Sequence, residues 1–144
     1  MRNFAYPTKN KLVLGSGVVE AALVLTVALI TFIGLIDIGS VLFRMQGLVE
    51  RARAGARWGV VNTYDVASIR NVVVYGNSSG TGGALLGLTA GLVSVSQVEL
   101  GDGVSKIRVQ VVNYPFRFFT PFIAGSKTLP TIEVSLTTES LGAK

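Results

Sequence analysis

Neither histidine nor cysteine occurs in this 144-residue chain. That removes the Ser-His-Asp triad, the Cys-His pair and any zinc site built on imidazole or thiolate. Carboxylates remain: Glu99 and Asp102 flank a turn and could form an acid-base pair, but they are better explained as solvated turn residues. The glycine-rich run GNSSGTGG at residues 76–83 lacks the lysine with which a phosphate loop engages its nucleotide. Asn77-Ser78-Ser79 matches a glycosylation acceptor, a pattern short enough to recur by chance. The expectation is therefore a protein that is not an enzyme, with no catalytic residue, metal ligand or cofactor to assign. What is left is charge placement: Glu20 precedes an apolar run, Asp37 lies in its last third, and Arg44, Arg51, Arg53 and Arg57 follow it.

That run, AALVLTVALITFIGLIDIGSVLF at residues 21–43, carries a single charge. A spanning helix needs about 20 apolar residues to cross about 30 Å of hydrocarbon. Ten residues between 21 and 36 are Leu, Ile, Val or Phe, which favours insertion by about 3–6 kcal/mol at about −0.3 to −0.6 each. A central acid would cancel much of this, at about 2.5–3.5 kcal/mol. Glu20 and Asp37, however, stand seventeen positions apart, about 25 Å along a helix, so that modest tilt brings both towards the interfaces. They lie about 260° apart around the axis and do not share a face. Asp37 thus reads as interfacial, with a polar contact to a partner helix as the lesser alternative.

The run is longer than the apolar core of a secretory signal, and no A-x-A-like site follows it, so an anchor is expected. Positive charge does not orient it: Arg2, Lys9 and Lys11 precede the span, and the four arginines follow. The sequence LGSGVVEAALVL, with Gly15, then Glu20 at the head of the apolar helix, resembles the processing site of type IV pilin-like proteins. The resemblance implies cleavage by a prepilin peptidase between Gly15 and Ser16. Residues 1–15 would be a cytoplasmic leader, and the domain beyond residue 44 would lie outside the cytoplasm. Loss of the three leader cations leaves ten basic groups of the thirteen, against eight acidic.

The longer stretch from Gly17 to Asp65 is similar to the N-terminal segment of TadE-like pilus assembly proteins, pilin-like pseudopilins of the tight-adherence (Flp) type; the resemblance is looser at residues 72–77 and 111–122. It implies that Glu20 registers subunits by pairing with the new amine of a neighbour. A carboxylate in an apolar bundle is costly alone and relieved by a complementary ammonium. For the residue alone a bare boundary marker is the plainer reading of Glu20; Gly15 five positions earlier turns the preference to pairing. The implied partners are the prepilin peptidase, other pilin-like subunits, the inner-membrane pilus assembly machinery and membrane lipid.

After the span the helix continues. Met45, Leu48, Val49, Ala52, Ala56, Gly59 and Val60 recur at spacings of three and four while Arg44, Glu50, Arg51, Arg53 and Arg57 take other faces. The arginines suit headgroup or partner contacts; a nucleic-acid grip is disfavoured. Gly55 and Gly59 form a GxxxG outside the apolar span, weak as a sign of helix pairing. Beyond Asp65 alternation predicts strands: Val72 to Tyr75, a segment from Val93 to Leu100 with a bulge, a turn at Gly101-Asp102-Gly103, the clear strand of Ile107, Val109 and Val111, and a last one with Ile132, Val134 and Leu136. Residues 76–83 read as a flexible loop and 84–92 as a weak helical turn. The aromatic cluster YPFRFFTPF at residues 114–122 is expected to close the core, with a partner surface as the alternative.

The fold class predicted is α+β and pilin-like. A long N-terminal membrane-spanning helix (16–43) continues as an amphipathic half (44–65) and is packed against a small antiparallel β-sheet within residues 66–144. The function expected is that of a structural or assembly subunit of a surface pilus or secretion filament, in the cytoplasmic membrane or the assembled pilus. The alternative is a non-polymerising single-pass adaptor.

Overall fold

The computed structural model describes residues 12–101, 104–120 and 125–138. The leader cations, Asp102 and Gly103 of the expected turn, and Pro121 and Phe122 of the aromatic cluster lie outside the described residues. One helix, α1 (Leu12–Val61), runs through 50 residues, about 75 Å. It is followed by α2 (Val66–Tyr75), short 3₁₀ turns at Leu85–Gly87 and Ala90–Leu92, and five strands: β1 (Val93–Gly101), β2 (Val104–Val111), β3 (Pro115–Phe116), β4 (Lys127–Thr128) and β5 (Ile132–Thr137). The architecture is α+β, a long apolar N-terminal helix carrying a small antiparallel sheet.

Strand β2 is the centre of a three-stranded antiparallel sheet ordered β1-β2-β5. Its alternation works as the sequence implies. Ile107, Val109 and Val111 are buried, and Arg108 and Gln110 lie half-buried on the other face. There Glu133 of β5 pairs with Arg108 at 3.1 Å and accepts a hydrogen bond from Gln110 at 2.8 Å. The irregularity expected within β1 falls at its end, between Glu99 and Gly101, where the β1–β2 register shifts. β3 and β4 form a separate two-stranded ladder.

Residues 72–75 are not a strand. They are the last turn of α2, whose start and stop are chemically specified. The Asp65 carboxylate accepts the N–H groups of Ala67 (3.2 Å) and Ser68 (3.0 Å) and the Ser68 hydroxyl (2.5 Å). Gly76 ends the helix at φ 83°, its N–H donating to the Val72 carbonyl. β-Branched Val and Ile disfavour a helix by at most about 0.7 kcal/mol each. Burial of Ile69, Val72, Val73 and Val74 returns about 1.5–3 kcal/mol each, so tertiary burial decides against the strand reading.

The GxxxG of α1 supplies the space for that burial, within the chain. A Cβ on Gly55 would collide with Val73 Cγ2, and one on Gly59 would stand 2.7 Å from Ile69 Cδ1 and 3.1 Å from Ile107 Cδ1. With Leu48, Ala52 and Ala56, fully buried on the same face, they form the floor on which α2 and the sheet rest. The run 76–83, expected to be flexible, is organised around one side chain. Asn77 donates to the Thr81 carbonyl (2.6 Å) and accepts from the Thr81 N–H (3.1 Å) and the Ser79 hydroxyl (2.9 Å). Asn71 adds a bond to the Ser78 carbonyl at 3.0 Å.

Two outcomes follow for stability. Gly55→Leu forces overpacking against Val73 and is expected to lower unfolding stability by about 1–3 kcal/mol in a denaturant titration; Gly34→Leu, with nothing within 4 Å of its Cβ position, leaves the midpoint unchanged. The Ser68 hydroxyl, and then the Ser68 and Ala67 N–H groups, hold the Asp65 carboxyl below its ordinary pKa. Its stabilisation is therefore complete above the ordinary carboxylate value and is lost as pH falls through the lowered one. The measured loss of stability between about pH 5 and pH 2 should be smaller in Asp65→Asn than in the parent, and the cap itself should fail in Asp65→Ala.

Candidate functional site

Along α1 the surroundings change at Asp37. Before it, residues 15–36 are exposed apart from the half-buried Gly34, and apolar side chains such as Val18, Leu23, Val24, Phe32 and Leu35 keep 60% or more of their surface. These 22 residues extend about 33 Å, which matches about 30 Å of hydrocarbon. By length and composition the helix can cross a membrane. The two threonines inside the stem are compatible with that. The hydroxyls of Thr26 and Thr31 donate to the carbonyls of Ala22 and Val27 at 2.8 and 2.9 Å, so neither is left unpaired.

Gly15 and Ser16 sit exposed on the first turns of this stem, with nothing within 4 Å of the Gly15 Cβ position. Glu20 is exposed one turn further on and has no hydrogen-bond or ionic partner among the described residues. All three thus lie on one end of the stem that no other described residue covers.

Asp37 is not merely interfacial. It is 4% exposed, and it binds the head of its own chain rather than a partner helix. The backbone N–H of Phe119 donates to Oδ1 at 2.6 Å and that of Thr120 to Oδ2 at 2.9 Å, while the Thr120 hydroxyl also donates to Oδ2. The carboxylate therefore clamps the loop after β3 across the top of the stem. The aromatic cluster divides accordingly. Tyr114 is buried and donates its hydroxyl to the Leu86 carbonyl, and Phe116 packs on the core, but Phe119 is 73% exposed.

The four arginines do not act as one cluster. Arg44 is half-buried, and its guanidinium donates to the Tyr114 hydroxyl at 3.4 Å. Arg51 lies over Gly76, so close that a Cβ there would meet its Nη1; this sets a cation at the C-terminal end of α2, where the helix dipole favours one. Arg53 pairs with Glu50 one turn back at 3.2 Å, both largely exposed, and Arg57 is exposed. Sequence reasoning missed the Asp37 clamp because its partners are 82 and 83 positions away and two of the three are backbone groups. The one available signal was an acid in an apolar helix with no cation within a turn of it.

Asp37→Ala should free the clamped loop. Hydrogen exchange at the Phe119 and Thr120 amides is expected to accelerate at least tenfold, the equivalent of about 1.4 kcal/mol of lost protection, with amides of β2 unchanged. Asp37→Asn, which keeps one acceptor oxygen, should fall between the two.

The model of the TadE-like protein family matches residues 15–57. No curated protein and no solved structure matches the chain. The matched stretch, which comprises the uncovered stem, the Asp37 junction and most of the small-residue floor of the head, is thus similar to TadE-like proteins.

Proposed function

We propose that the chain is a leader-processed, pilin-like subunit that is stored in the cytoplasmic membrane by its stem, with the head outside the cytoplasm, and enters a pilus or its assembly platform by trading lipid for the stems of other pilin-like subunits. Its role is structural rather than catalytic. The observation that carries this reading is the division of α1 into an uncovered apolar stem of 22 residues and a covered upper half. A stem with that much apolar surface requires lipid or other helices around it. The exposed Gly15-Ser16 bond supports trimming by a prepilin peptidase on the cytoplasmic side. Glu20, unpartnered among the described residues, supports pairing with the new Ser16 amine of a neighbour, which would set the register between subunits. The inner-membrane pilus machinery would be the remaining partner.

Mass spectrometry of the chain from its native membrane should find Ser16 as the first residue; an intact Met1 would count decisively against processing. Glu20→Ala should stay in the membrane fraction but fall about tenfold or more in sheared filament fractions, a change worth about 1.4 kcal/mol per contact. A parent chain that never reaches filament fractions would make it a non-polymerising adaptor instead.

A further inference from the structure

Directly above the stem, one side of the head combines cations with aromatic rings. Arg44, Phe116, Arg117, Phe118, Phe119 and Ser126 line an open cleft of about 470 Å³. No acid lines it. Arg44 has Tyr114 as its one hydrogen-bond partner among the described residues, and Arg117 is exposed. Phe118 is steadied by Phe116, the rings edge to face at 4.8 Å and 72°. Phe119 is different: its backbone is fixed by Asp37 while its ring stands 73% exposed. That ring borders a second hollow of about 400 Å³ with Ile33 and Ile36, the last apolar turn of the stem. An exposed phenylalanine held rigidly at this height is placed where aromatic residues sit in membrane proteins, at the boundary between hydrocarbon and headgroups.

We propose that this face is a bilayer-docking surface whose occupant is the outer part of a phospholipid leaflet. The Phe119 ring enters the acyl boundary beside Ile33 and Ile36, and Arg44 and Arg117 take headgroup phosphates, with anionic lipid preferred. The inference rests on the reading that residues 15–36 cross the membrane. Charge and height both favour lipid. Arg44 lies seven residues beyond Asp37, about 10 Å up the axis, and its side chain lines the same cleft as Phe119. That brings the guanidinium towards a headgroup layer about 5–8 Å thick. Arg51, Arg53 and Arg57 stand about 21–30 Å above Asp37, too high for the same layer. The head would thus be seated on the membrane by its own surface as well as by the stem, tilted so that the clamped loop faces lipid.

The test uses the full chain reconstituted in vesicles, with Trp58→Phe removing its one tryptophan. Into that background Phe119→Trp places a reporter on the head, and Leu29→Trp, in a separate variant, places one in the stem. Vesicles are phosphatidylcholine alone or mixed with phosphatidylglycerol, and contain lipids brominated either near the glycerol or near the chain ends. The head reporter should be quenched more strongly by the shallow bromines, and more so when phosphatidylglycerol is present; Arg44→Gln/Arg117→Gln should abolish that increment. The stem reporter should be quenched by the deep bromines. If the stem reporter is deep but the head reporter is insensitive to brominated lipid and fully quenched by aqueous iodide, docking is wrong and the membrane reading stands. If the stem reporter is not deep, the membrane reading fails and the inference with it. Shielding of the head reporter that grows with the protein-to-lipid ratio would assign the face to a second copy of the chain and overturn the lipid proposal.

Discussion

One unbroken helix has to satisfy two surroundings, and the volume of its side chains decides where one gives way to the other. Below Asp37 large apolar side chains point in every direction, as suits a rod with lipid or other rods on all sides. Above it, one face narrows to Leu48, Ala52, Gly55, Ala56 and Gly59, so that α2 and the sheet approach the axis closely. The seating of α2 and of the sheet's central strand depends on that narrowed face. Val73 and Ile69 of α2 pack against Gly55 and Gly59, and Ile107 of the sheet's central strand reaches Gly59 as well.

Asp37 stands at the change of surroundings and has a matching double nature. A carboxylate within an apolar helix must find donors. The chain supplies them by folding the loop after β3 back onto the helix, so that two backbone N–H groups and a hydroxyl meet both oxygens. The same bonds that satisfy the charge fix the height at which the head begins. Glu20, seventeen positions below, is the contrasting case: a carboxylate on the same helix whose donors are not among the described residues of its own chain.

Local pattern made much of this legible. The stem is evident from composition alone, and the upper half of α1 from spacings of three and four. β2 and β5 follow from strict alternation, since each has one face on the core. The failures share a cause, a decision made at long range. α2 reads as strand because its β-branched run fits a strand locally, and only the glycine floor of a distant helix shows where such residues can be buried. The loop 76–83 reads as flexible by composition, yet Asn77 and Asn71 order it through specific hydrogen bonds. The arginines read as one patch because they are neighbours in sequence, whereas Arg44 and Arg51 turn to Tyr114 and Gly76 and leave Arg53 and Arg57 on the outer side.

Continuity of α1 from Leu12 to Val61 has a geometric corollary. With no hinge between its two halves, the azimuth of the head is indexed to the number of residues beneath it. Adding or deleting a single residue between Glu20 and Asp37 would swing the head by about 100° and shift it by about 1.5 Å. The count of residues in the greasy half, quite apart from their chemistry, thereby dictates which flank of the head each neighbour would see.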